Sequence, residues 1–64
     1  MYVSLSERPE RIKPGQYVIS MKHILVGRLM AREITPDGQK LLVEWDMSNE
    51  TSWETPDSLG IWEP

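Results

Sequence analysis

Thr35-Pro36-Asp37-Gly38-Gln39-Lys40-Leu41-Leu42-Val43-Glu44-Trp45-Asp46 is the stretch on which the fold turns. Its first four residues make a tight turn, in which proline presets φ and Asp-Gly supplies a left-handed position. From Lys40 onward apolar and polar residues alternate. Period two places Leu41, Val43 and Trp45 on one face of a strand and Leu42, Glu44 and Asp46 on the other.

Working outward toward the N-terminus, residues 21–34 carry two competing patterns. Met21, Leu25 and Leu29 recur at helical spacing, and Met, Leu, Ala, Arg and Glu form helices well. Against a helix stand Gly27, which costs about 1 kcal/mol relative to alanine in a helix interior, and the lack of an N-cap residue before Met21. A strand with a bulge at Gly27 accommodates the broken alternation and is the reading adopted. Before it, Pro14-Gly15 turns the chain into a strand over Gln16–Met21, with Tyr17, Ile19 and Met21 on one face. Residues 1–14 end in Arg8-Pro9-Glu10-Arg11-Ile12-Lys13-Pro14, whose prolines sustain neither helix nor central strand, and are expected to form a flexible arm.

Toward the C-terminus, Met47-Ser48-Asn49 reads as a loop and Glu50-Thr51-Ser52-Trp53-Glu54 as a short strand. Thr55-Pro56-Asp57 begins a single helical turn, since threonine caps, proline suits the first helical position and aspartate suits the dipole. Ile61-Trp62-Glu63 is a last short strand. The expectation is an all-β, five-stranded small barrel over residues 15–64, with one helical turn before the last strand.

Composition narrows the function classes. A 64-residue chain without cysteine and with one histidine carries no disulfide, thiolate zinc site, iron–sulfur cluster or thiol nucleophile. At 0.05–0.15 kcal/mol per residue such a fold is worth roughly 3–10 kcal/mol, so self-association is an expected contributor to stability. No apolar run approaches the roughly 20 residues that span a bilayer, and no secretory leader is visible, from which a cytoplasmic location without membrane contact is expected.

The seven basic residues (Arg8, Arg11, Lys13, Lys22, Arg28, Arg32, Lys40) all lie in the first 40 positions beside four acids, whereas the last 24 positions hold six acids and no base. A bipolar molecule follows if the two parts form different faces. His23 has no second ligand-type residue at metal spacing, the Asp46–Glu50 loop lacks the glycine and length of a calcium loop, and the four isolated glycines build no phosphate loop. No cofactor is expected. Glu50 and Glu54 could serve acid–base chemistry only in a cleft deep enough to shift their pKa values, which a chain this short is not expected to build.

The succession of strand, long loop, hairpin, strand and helical turn resembles the SH3-like barrel superfold, which includes Tudor, KOW and chromo-barrel modules. Over residues 26–59, Val26, Leu29-Met30, Gly38, Leu42-Val43-x-Trp45, Trp53-Glu54 and Leu59 resemble the chromodomain run V-x-x-I-L, hairpin, L-V-x-W, T-W-E-P and closing leucine. That family reads methylated lysine through an aromatic cage. The resemblance puts the cage tryptophan on Trp45 and its carboxylate on Glu50, while Ile24 and Met47 or Ser48 stand where the other two rings would be. A methyl-lysine reader is therefore not expected. The functional stretch of the plasmid-type dihydrofolate reductase, another small barrel of this kind, would fall near Thr51-Ser52-Trp53 and does not match.

What remains is a non-enzymatic module that binds another protein through an acidic aromatic face of Trp45, Glu50, Glu54 and Trp62. Nucleic-acid binding is the alternative, through Arg8, Arg11, Lys13, Lys22, Arg28 and Arg32 with Tyr17 stacking on bases. Trp53 is expected inward between Ser52 and Glu54. Trp45, beside the acidic loop, is open to either a core or a binding role, and Tyr17 and Trp62 to rim positions or mutual packing across the first and last strands.

Overall fold

The computed structural model describes residues 1–64. Six strands, β1 (Tyr2–Ser4), β2 (Tyr17–Ser20), β3 (Val26–Thr35), β4 (Gly38–Trp45), β5 (Thr51–Glu54) and β6 (Leu59–Trp62), form one antiparallel sheet in the order β1-β6-β2-β3-β4-β5. The helical content is three short 3-10 turns at Leu5–Glu7, Pro9–Arg11 and Pro56–Ser58, the last of them directly before β6 as the sequence predicts. β1 and β5 are the sheet's free edges, so it is not closed by hydrogen bonds into a barrel. Across the gap, the turn at Leu5–Glu7 packs against the turn at Pro56–Ser58.

The sixth strand comes from the stretch expected to be an arm. β1 pairs with β6 through Tyr2↔Trp62, Val3↔Ile61 and Ser4↔Gly60. Ser4 Oγ accepts the Ser6 N–H at 3.3 Å to cap the first 3-10 turn, and Pro9 opens the second, where its missing N–H costs nothing. The two turns carry Leu5 and Ile12 into the core beside Val18, Leu29, Leu41, Val43, Leu59 and Ile61. Prolines do bar helix and central strand here, yet 3-10 turns and an edge strand tolerate them, and apolar burial does the rest.

β3 is a strand as expected, but its bulge lies at Met30, three residues beyond the expected Gly27. The register shifts between Leu29 and Ala31, leaving Met30 as the extra residue, while Gly27 stays paired with Trp45. A Cβ on Gly27 would stand 2.6 Å from Val43 Cγ1 and 2.8 Å from both the Glu44 carbonyl oxygen and Trp45 Cε3. Close approach of β4 and the Trp45 ring, rather than a bulge, is what the glycine serves.

The two faces of β5 are reversed from the expectation. Cross-strand partners share a face in an antiparallel pair, and the register Val43↔Ser52 and Leu41↔Glu54 puts Ser52 and Glu54 on the side of the buried Val43 and Leu41. Trp53 therefore faces out opposite Leu42 and is 51% exposed, whereas Trp45 packs against the core. In β2 the same logic buries Val18 and Ser20 on the inner side and leaves Tyr17 outward.

Candidate functional site

Two hairpins frame a cleft on the inner side of the sheet. Both close with the same hydrogen-bond pattern: Ser20 N–H donates to Leu25 O at 2.8 Å and Ile24 N–H to Ser20 O at 3.1 Å, and likewise Trp45 N–H to Glu50 O and Asn49 N–H to Trp45 O, each at 2.9 Å. The geometry needs a left-handed residue before its last position, supplied by Asn49 (φ 57°) in the second loop and by Ile24 (φ 53°) in the first. The buried Ser20 hydroxyl oxygen accepts the N–H groups of Lys22 (3.3 Å) and His23 (3.2 Å), which holds the first loop in shape.

Between the loops opens a cleft of about 400 Å³. Trp45, Ser52, Glu54 and Glu50 form one wall, and Lys22, His23 and Leu25 the other. Hydrogen bonds organise the floor in a chain: Trp45 Nε1–H donates to Ser52 Oγ at 2.7 Å, and Ser52 O–H donates to Glu54 Oε2 at 2.8 Å. Ser58 Oγ lies 3.3 Å from the other carboxylate oxygen of Glu54 while donating to Thr55 O at 2.8 Å. The indole and the carboxylate are thus held in fixed orientation, each partly buried. The imidazole of His23 enters no hydrogen bond, so Ser52, His23 and Glu54, though they share the cleft, do not form a nucleophile–base relay.

β5, whose Thr51, Ser52 and Glu54 line the cleft, is an edge strand of the sheet. Asp46 N–H reaches back to Val26 O at 3.0 Å and Trp45 N–H forward to Glu50 O, so along β4 even-numbered residues bond to β3 and odd-numbered ones to β5. On β5 this alternation turns the backbone groups of Ser52 and Glu54 toward β4 and those of Thr51 and Trp53 outward. The molecule has two ion pairs, Arg8–Glu63 at 2.9 Å and Arg28–Glu44 at 3.3 Å. Asp46, Glu50 and Glu54, which flank the β5 edge, have no paired cation.

Trp45, Glu50 and Glu54, three of the four residues expected on an acidic aromatic face, come together at this cleft. Trp62 does not: it lies on the outer side of β6, edge to face with Tyr2 at 5.1 Å between ring centroids. The residues expected to bind nucleic acid are dispersed. Tyr17 is cross-strand from Arg28, which is tied to Glu44; Arg8 is tied to Glu63 and Arg11 bonds Gln16 at 3.3 Å. Lys22 faces the acidic cleft, Lys13 is exposed, and Arg32 contacts Gln39 at 3.5 Å. Ser52 as a positioning group and Ile24 as an exposed apolar group were not expected from the sequence. Ser52's neighbours on alternate positions are its only local signal, and that signal appears once the register is known.

Comparison of the chain with protein-family models, with curated proteins and with solved structures finds no match. No helix is long and apolar enough to cross a membrane.

Proposed function

We propose that this chain is a non-enzymatic, SH3-like small β module that binds another protein, and that the Trp45–Glu50–Glu54 cleft receives the partner. The hairpin, short strand and 3-10 turn before the last strand support the SH3-like reading. The observation that carries the binding reading is the hydrogen-bonded chain from Trp45 through Ser52 to Glu54. It fixes an aromatic face and a carboxylate at the floor of a cleft bordered by a free strand edge. The matching partner is an extended, cationic segment. Its backbone pairs with the outward groups of Thr51 and Trp53, and its alternate side chains turn into the cleft toward the unpaired carboxylates.

The test is an array of extended peptides differing in charge, probed with the native chain and with Glu50→Gln/Glu54→Gln, which keeps shape and removes charge. Cationic peptides are retained in a salt-sensitive manner, and the double variant loses them by roughly tenfold or more. Equal retention of cationic and anionic peptides, or retention of neither, ends this reading. A nucleic-acid gel shift at low salt that Arg28→Glu/Arg32→Glu abolishes favours the alternative class instead.

A further inference from the structure

Ile24 is an anomaly in three respects. It adopts φ 53°, a conformation that β-branched residues disfavour, and it does so at the hairpin position where the other loop uses Asn49. Its side chain is also 79% exposed, so burial in this chain does not compensate the strain. A glycine or asparagine would close the loop at lower cost. The side chain that the strain holds out in water is a branched hydrocarbon.

Beside this protrusion lies a hollow of similar chemistry. On the outer side of β1, β6, β2 and β3, Tyr2, Tyr17, Val26 and Trp62 wall a depression of about 150 Å³ above Ile19 and Gly60. It adjoins a second one, about 220 Å³, between Tyr2, Met21 and Ile24 itself. Tyr2, Tyr17 and Trp62 are 52%, 60% and 60% exposed. At 150–250 Å² per ring they leave on the order of 350 Å² of aromatic surface open. With Met21, Ile24 and Val26, also exposed, the patch passes the few hundred Å² that monomers tolerate and approaches the roughly 800 Å² per partner of a stable complex. Arg28, cross-strand from Tyr17, and Glu63, next in sequence to Trp62, are paired within the chain with Glu44 and Arg8 respectively.

An apolar knob next to an apolar hole on one face is complementary to itself under a two-fold axis. We propose that this outer face is the interface of a symmetric homodimer, in which Ile24 of each copy seats in the aromatic hollow of the other. The interface is separate from the cleft: the Ser20–Leu25 loop turns Lys22, His23 and Leu25 to the cleft and Met21 and Ile24 to the outer face.

Sedimentation equilibrium of the whole chain from micromolar to submillimolar concentration tests this. The mass rises to twice that of the chain. Ile24→Gly, which relieves the strained φ and removes the knob, keeps the circular dichroism spectrum and weakens the dimer by about tenfold or more. Val26→Asp, which spoils the hole, does the same. Mixing the two variants restores one knob-in-hole contact and yields a heterodimer tighter than either homodimer. A monomer throughout overturns the proposal, as does a dimer indifferent to both substitutions. A monomer that co-sediments with anionic phospholipid vesicles through Ile24 overturns it too, and assigns the face to a lipid surface.

Discussion

Trp45 and Trp53 are eight residues apart and similarly framed by polar neighbours, yet one supports the core and the other faces water. Trp45 lies over Gly27, packs against the core and anchors Ser52 through its indole N–H. Its replacement by alanine removes packing and a hydrogen bond at once. Trp45→Ala is therefore expected to cost about 3 kcal/mol, and Trp53→Ala about 1 kcal/mol or less. Urea melts of the two variants, followed by circular dichroism, give the order directly; a Trp53→Ala loss exceeding that of Trp45→Ala contradicts the register described for β5. The reversal from the sequence expectation has a simple origin. Alternation sorts residues onto two faces without saying which is buried, and five short-strand residues with one tryptophan among polar neighbours offered nothing else to decide it.

At the scale of elements, the β3–β4 hairpin was legible in outline. The turn at Thr35–Gly38, the strand expected over Lys40–Asp46 and observed at Gly38–Trp45, and the preference of residues 21–34 for strand over helix, observed as a strand from Val26 to Thr35, all follow from local pattern. The position of the bulge was not legible, because a glycine in a strand signals either a bulge or a close approach, and only the partner strand distinguishes them. Here it is close approach, which makes Gly27→Ala a sharp test. The added methyl meets the backbone oxygen of Glu44 as well as two side chains, so the strands must separate. A loss of about 1–3 kcal/mol is expected in the same melts. An unchanged midpoint would show that β3 and β4 sit further apart than described.

The whole molecule is held at its ends by contacts between residues far apart in sequence. Arg8 Nε and Nη2 donate to Glu63 Oε2 and Oε1 at 2.9 and 3.1 Å, and the Met1 ammonium donates to the Glu63 carbonyl at 2.7 Å. The hydrogen bond from Arg8 and its charge hold the Glu63 carboxyl below its usual pKa. The Thr55 hydroxyl does the same for Asp57. A carboxyl depressed in the folded state binds its proton more readily when unfolded. Its stabilisation is full above the ordinary carboxylate pKa and is lost as pH falls through the lowered folded value. Stability should thus decline on acidification below the normal carboxylate range, and Glu63→Gln should flatten that decline while leaving Asp57's share. Thermal melts across the acid range check this; a decline identical in both proteins would mean that the Arg8 pair makes no contribution.

Taken by itself, the sequence determined that the chain is all-β, the approximate places of β2 to β5 though not that residues 21–25 form a loop, that a helical turn precedes the last strand, and that acids gather in the last 24 positions. These are properties of period, turn chemistry and composition, which act over a few residues. Tertiary structure alone decided the rest. It drew residues 1–14 into the sheet and core, because Leu5 gains burial only once β6 and the Pro56–Ser58 turn are in place, and Ile12 only once Leu29 of β3 and Leu41 of β4 are. It also chose the buried side of β5 and left the sheet open at β1 and β5. On one side it assembled the Trp45–Ser52–Glu54 cleft, and on the other the ring of Tyr2, Tyr17 and Trp62 beside Ile24. Those outcomes depend on register between distant strands, which local alternation leaves undefined until packing selects a face.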